Sequence, residues 1–329
     1  CVEKETRQSR PWAAPTRRWC WLGGRKECRH RIRYLLIMGT WLILIAVGGT
    51  LLVSSWLTGA LRRYALRTQL LDLPNARSSH SQPTPRGGGL AIVVSFNIAL
   101  LMSWWLGGVA SEFAAAAGIG GLLIAAVSYL DDRHNLPARW RFPVHLIAAG
   151  VALWWLGGFP ALPLPGLDLG FGWLGIPLGV LCIVWLLNLY NFMDGIDGIA
   201  GVEAVTVAAG AALLLWVRGD AAMAGVLVLL AAAVLGFLAW NWPPARIFMG
   251  DVGSAYLGFV LGVMALATSA EGPLNLWVWL ILLAVFITDA TVTRLRRLRP
   301  GGRWYGAHRV HAYQQAVREV DDRVWVGGS

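Results

Sequence analysis

Charge is scarce in this chain. Only 14% of its 329 residues are Asp, Glu, Lys or Arg, while 57% are hydrophobic and the mean hydropathy is +0.56. A soluble domain carries about a quarter of its residues as charges, which excludes that class here. The apolar runs also lack a period-two alternation, which excludes a transmembrane β-barrel. No internal repeat is visible, and inverted or parallel repeats are what secondary transporters are commonly built from. Cysteine is limited to Cys1, Cys20, Cys28 and Cys182. That number implies no disulfide framework. Cys20 and Cys28, even with His30 nearby, lack the paired short spacing of a zinc site. The formal net charge of +10 would suggest nucleic acid in a soluble protein. In an apolar chain it reads as basic loops lying against anionic lipid, with no nucleic-acid partner.

What the chain does have is a series of apolar runs of about 20 residues, each long enough to cross a bilayer as a helix. We place them at roughly 36–58, 88–108, 112–130, 142–158, 172–190, 196–217, 221–240, 252–270 and 274–293. The expected fold is an all-α polytopic membrane helix bundle of about nine transmembrane helices. Pro/Gly-rich residues 159–166 read as a linker between the fourth and fifth spans. Residues 1–37 form a basic extension unlike the rest, with ten Lys and Arg in the first 34 positions. Met38 is taken as an alternative start. The transmembrane domain then covers 38–293, and 294–329 form a basic, His-bearing tail.

Loop charge sets the expected orientation. Loops after the odd-numbered spans hold 17 Lys and Arg; those after the even-numbered spans hold 1. The positive-inside rule puts the first set in the cytoplasm. The basic extension would then lie outside, against the rule, a second reason to set it apart. Asp72, Asp131, Asp132, Asp194, Asp197, Asp251 and Asp289 all fall on the cytoplasmic side. The outer loops hold Glu112, Asp168, Asp220 and Glu271, without clustering.

The central stretch is Asn188-Leu-Tyr-Asn-Phe-Met-Asp-Gly-Ile-Asp-Gly198, where Asn188, Asn191, Asp194 and Asp197 sit at a span end. Ionisable groups at that depth are costly and usually functional. Asp131 and Asp132 end the third span, where the negative helix terminus disfavours them unless a cation offsets the charge. Arg133 could supply part of it and a divalent ion more. Three spans start on the cytoplasmic side after glycine-bearing loops: Pro83-Thr-Pro-Arg-Gly-Gly-Gly89, Met193-Asp-Gly-Ile-Asp-Gly198 and Met249-Gly-Asp-Val-Gly-Ser254. Helix N-termini of this kind favour anions, and acids beside them suit a metal-bridged pyrophosphate. His308 and His311, three apart in the tail, would share one helix face.

These residues resemble the polyprenyl-phosphate N-acetylhexosamine-1-phosphate transferases, the family that includes phospho-N-acetylmuramoyl-pentapeptide translocase and the enzymes initiating O-antigen and teichoic-acid linkage units. The likeness covers roughly 41–315. It is carried by Pro-Thr-Pro-Arg-Gly-Gly-Gly, the Asp131-Asp132 pair, Asn-x-x-Asn-x-x-Asp-Gly-x-Asp-Gly, Asn241-Trp-Pro-Pro-Ala-Arg-Ile-Phe-Met-Gly-Asp251 and the His-x-x-His-x-Tyr-Gln tail, in that order. The short loop after Asp132 and the His-x-x-His tail are similar to the O-antigen branch.

The resemblance implies a helical bundle in the bacterial inner membrane with a cytoplasmic active-site cleft. The implied reaction moves a UDP-linked N-acetylhexosamine-1-phosphate to undecaprenyl phosphate and releases UMP, with Mg²⁺ as cofactor and Mn²⁺ as its alternative. It implies Asp251 as leading metal ligand, with Asn191. Asp131 would position or deprotonate the lipid phosphate, with Asp132 beside it. Asn188, Asn191, Asp194 and Asp197 would serve the nucleotide and catalysis, and Phe248 would stack on uracil. Thr84, Arg86 and Asn241 would lie near the nucleotide, and His308 and His311 would contact phosphate or sugar. Family members usually continue into another span after the His motif, so truncation and an inactive protein form one alternative. A membrane transporter is the other. A homodimer is compatible with either. The choice of amino sugar has no signature in the chain.

Overall fold

The computed structural model describes the backbone of residues 25–72, 83–270 and 272–298, with side chains from 41 onward and up to 293. The basic extension upstream of 25 and the tail from 299, with His308 and His311, lie outside the described residues. The chain divides into two compact units, Cys1–Ala46 and Val47–Ser329. Of the first, the structure describes helical backbone and the exposed apolar side chains Trp41 to Ile45.

The described elements are α1 (Arg25–Arg67), β1 (Leu71–Asp72), β2 (Thr84–Pro85), α2 (Gly89–Trp105), α3 (Ser111–His134), α4 (Ala138–Leu156), β3 (Leu162–Leu164), β4 (Leu167–Leu169), α5 (Gly175–Met193), α6 (Ile199–Val217), α7 (Ala221–Asn241), α8 (Asp251–Ala270), α9 (Leu276–Leu282) and α10 (Ala284–Leu298). The all-α expectation holds. The count of nine spans is not confirmed among the described residues. Six helices among the described residues are long and apolar enough to cross a membrane, and the pair α9–α10 would make a seventh. α2 has only 17 residues, and α4 carries Arg139 and Arg141 in its opening turns. The expected ninth span is bent by 72° at its break. Glu203, buried on α6, lies near the Phe286 amide just past that break. The Pro/Gly-rich linker is a hairpin, β3 paired antiparallel with β4.

Helix α8 is the centre of the bundle. Every residue from Val252 to Thr268 is buried, and α8 contacts α2, α3, α4, α5, α6 and α9. Small residues make this possible, because transmembrane helices approach closely where side chains are short. A Cβ on Gly258 would lie 2.7 Å from the Leu186 carbonyl and from Leu187 Cα of α5. Gly120 and Gly121 of α3 leave room for the Phe259 and Tyr256 rings. Gly89 and Gly253 meet backbone to backbone, since a Cβ on Gly89 would sit 2.3 Å from Gly253 Cα. That contact joins the starts of α2 and α8 and holds their loops together.

Candidate active site

The acid-bearing loops and helix ends gather at one end of the bundle. Asp132, the last acidic residue of α3, reaches across to α8. Its two carboxylate oxygens accept the amides of Asp251 and Val252, each at 3.1 Å. A carboxylate at a helix N-terminus satisfies orphan donors and complements the dipole. Asp132 thus caps another helix and sets where Asp251 points. Arg86 donates to the Asp132 carbonyl. The loop carrying Arg86 is pinned by β1–β2 pairing and by Phe248, whose amide donates to the Pro85 carbonyl at 2.8 Å.

The cation beside the acids is Arg141 on α4. It bridges Asp131 and Asp251, bonding Asp131 directly and approaching Asp251 at 3.2 Å. Arg133 does not serve in this way. Its guanidinium donates to the Tyr64 hydroxyl at 2.6 Å and lies over the Tyr64 and Tyr129 rings. The offset for the Asp131–Asp132 pair therefore comes from Arg86, Arg141 and the amides of α8. Sequence reading passed over Arg141; its position four residues into α4, facing an acid pair one short loop away, was the available signal.

Asn191 donates to the Ser254 hydroxyl at 3.3 Å and stands beside Asp251. Asn188, one turn earlier on α5, donates to the Val184 carbonyl at 2.7 Å. Asp194 lies in the loop after α5. Burial, and then the neighbouring Asp251, Asp132 and Asp197 carboxylates, push it up to about 7. Asp131, Asp194 and Asp251, distant in sequence, thus belong to one electrostatic cluster.

Two further residues act on the backbone. Asp197 accepts the Ala245 amide at 2.8 Å. Asn241 accepts the Gly198 amide at 3.0 Å and donates to the Ile247 carbonyl at 3.0 Å. Both tie the loop after α5 to the loop after α7. The three glycine-rich helix starts are likewise stitched together. Gly88 and Gly89 donate to the Phe248 and Met249 carbonyls at 2.9 and 2.8 Å. With Gly198 held by Asn241 and α8 capped by Asp132, the amides of Gly88, Gly89, Gly198, Asp251 and Val252 are engaged by the protein itself. Thr84 is buried in β2.

A cavity of about 130 Å³ opens beside the cluster, lined among others by Arg141, His145, Asn188, Asn191 and Asp251. A larger one, about 360 Å³, is lined by Gly108, Glu112 and Asp220 at the opposite helix ends, away from the cluster. No group of three His, Cys, Asp or Glu side chains arranged to hold a metal occurs among the described residues. An ion of the Mg²⁺ kind takes one or two carboxylates and completes its shell with water and substrate phosphate, and the neighbouring Asp251 and Asn191 side chains carry oxygens of the type such an ion would take.

Fold and site together define a multi-pass membrane protein with a polar, carboxylate-rich cluster built at one set of helix ends. The profile of glycosyl transferase family 4 matches residues 114–269. The chain is 31% identical over 264 residues to a Bacillus subtilis (strain 168) protein named probable undecaprenyl-phosphate N-acetylglucosaminyl 1-phosphate transferase, covering 78% of this chain and 72% of that one. It is 32% identical over 318 residues to decaprenyl-phosphate N-acetylglucosaminephosphotransferase of Mycolicibacterium smegmatis, covering 84% and 77%. It is also 32% identical over 266 residues to a phospho-N-acetylmuramoyl-pentapeptide-transferase of Synechococcus sp. (strain CC9311), covering 75% and 70%. The chain belongs to glycosyl transferase family 4, among the phospho-sugar transferases.

Proposed function

We propose that this protein transfers an N-acetylhexosamine-1-phosphate from its UDP ester to undecaprenyl phosphate at the cytoplasmic face of a bacterial inner membrane, as a first membrane step of O-antigen or related envelope polysaccharide synthesis. The observation that carries this reading is the junction of three sequence-distant acids, with Arg141 between Asp131 and Asp251 and Asp194 in the same field. The names of the relatives support both the lipid acceptor and the phospho-sugar.

An oxygen of the lipid phosphate attacks the phosphorus that bears the sugar. A new P–O bond forms, the P–O bond to UMP breaks, and UMP leaves with the electron pair. The products are undecaprenyl-pyrophosphate-sugar and UMP. A phosphate monoester is already anionic at neutral pH, so the barrier is chiefly the meeting of two negative phosphates. Mg²⁺, held by Asp251 and Asn191, would supply charge neutralisation at that meeting. Arg141 and Arg86 add fixed positive charge, and Asp131 orients Arg141. Asp132, Asp197 and Asn241 hold the loops in place. Phe248 and Thr84 lie on the loops where the nucleotide is expected, and the resemblance assigns His308 and His311, which lie outside the described residues, to phosphate or sugar.

Purified protein in detergent, given undecaprenyl phosphate, Mg²⁺ and a panel of UDP-N-acetylhexosamines, is expected to release UMP with one of them. Folded protein that releases none refutes the reading, and the panel identifies the sugar.

A further inference from the structure

The acids and arginines do not use every polar group at this end of the bundle. His145 lies one turn beyond Arg141 on α4, so the two side chains share a face. The His145 residue is only 7% exposed, yet its Nε2 has no hydrogen-bond partner in the structure. A buried polar nitrogen without a partner carries a desolvation cost that an apolar residue of similar size would avoid. The ring lines the cavity that also holds Arg141, Asn188 and Asn191.

That cavity has two characters. One side offers the Arg141 guanidinium, the His145 imidazole and the Asn188 and Asn191 amides, with the Asp251 carboxylate beside them. The other is made by Phe142, Leu187 and Phe192, and Phe142 and Phe192 remain 50% and 57% exposed. Donors on one side and half-exposed aromatic side chains on the other suit a phosphate monoester on a hydrocarbon chain. A sugar nucleotide has no apolar tail to meet that surface.

We propose that His145 is a substrate-contacting residue that hydrogen-bonds the phosphate of the lipid acceptor, fixing it beside Arg141 and Asp131. This rests on the transferase reading. It adds a residue and gives the cavity between α4, α5 and α8 to the acceptor.

The test uses the full chain with His145→Leu and His145→Gln, the glutamine retaining an amide donor. His145→Leu is expected to raise the KM for undecaprenyl phosphate about tenfold, the scale of one hydrogen bond to a charged group. The KM for the UDP-sugar should stay within about twofold, and His145→Gln should return the lipid KM to within about threefold of the starting protein, as expected where the group keeps its donor. An unchanged lipid KM, equal losses in both variants, or a shift confined to the UDP-sugar overturns the proposal.

A second measurement is independent of turnover. Undecaprenyl phosphate should raise the melting temperature more than undecaprenol does, and His145→Leu should remove that difference. If the unaltered protein releases no UMP, the transferase reading fails while this comparison still decides the role of His145. A phosphate-dependent shift that persists in His145→Leu refutes it.

Discussion

Replacing Asp132 with alanine separates two meanings of an acid in this site. Its carboxylate takes two amides of the first turn of α8, both at 3.1 Å. Hydrogen bonds to a charged group contribute about 1.5–3 kcal/mol each. The lengths argue for the lower end, so losing both should cost about 3 kcal/mol. Each kcal/mol moves a melting point by about 2–4 °C in a protein of 150–250 residues, so the expected fall is about 6–12 °C. Asp132→Asn keeps one acceptor oxygen and should lose about half as much. The assay is detergent-solubilised thermal unfolding at a fixed scan rate, because such unfolding is often irreversible. UMP release is followed in parallel. Activity should fall with stability, since Asp251 and Val252 lose their anchor together. An Asp132→Ala protein that melts within about 2 °C of the original yet is inactive would refute the cap and make Asp132 a group that acts on substrate.

Three other outcomes follow from the same geometry. Asp251→Asn should abolish stabilisation by added Mg²⁺ in thermal titrations, while the metal-free protein melts no lower than the original because carboxylate crowding is relieved. Asp194, raised to about 7 from an ordinary 3.8, binds its proton more tightly folded than unfolded. Its contribution is therefore fully present at acid pH and is lost as pH rises through about 7. The metal-free melting temperature should fall across that window, and Asp194→Asn should flatten the fall. Gly258→Ala places a Cβ 2.7 Å from two backbone atoms of α5, which cannot yield as a side chain would. It should destabilise by about 1–3 kcal/mol, read as a lower melting temperature and loss of monodispersity on size exclusion.

Some of this was legible before any fold. Apolar length alone marks the long helices, because a bilayer demands about 20 apolar residues in a row. Cost alone marks Asp131, Asp194 and Asp251, since carboxylates at span ends need a reason. The His tail shared in the resemblance but lies outside the described residues. Arg141 was passed over although its place one short loop beyond the acid pair was a signal, and His145 was not legible, because nothing local distinguishes a helix histidine from an ordinary one. Arg133 drew the eye by adjacency to Asp132, yet its side chain turns to two tyrosines.

The sequence by itself determined that this is a membrane bundle with a carboxylate-rich end, because hydrophobicity and the cost of charge act residue by residue. Only tertiary structure decided how the polar groups divide their work. Hydrogen bonds between distant loops make Asp132 a cap, Asn241 and Asp197 anchors for turns, and Arg141 the bridge between Asp131 and Asp251. Those pairings depend on which helix ends become neighbours, and the close approach of small residues on α8 sets that.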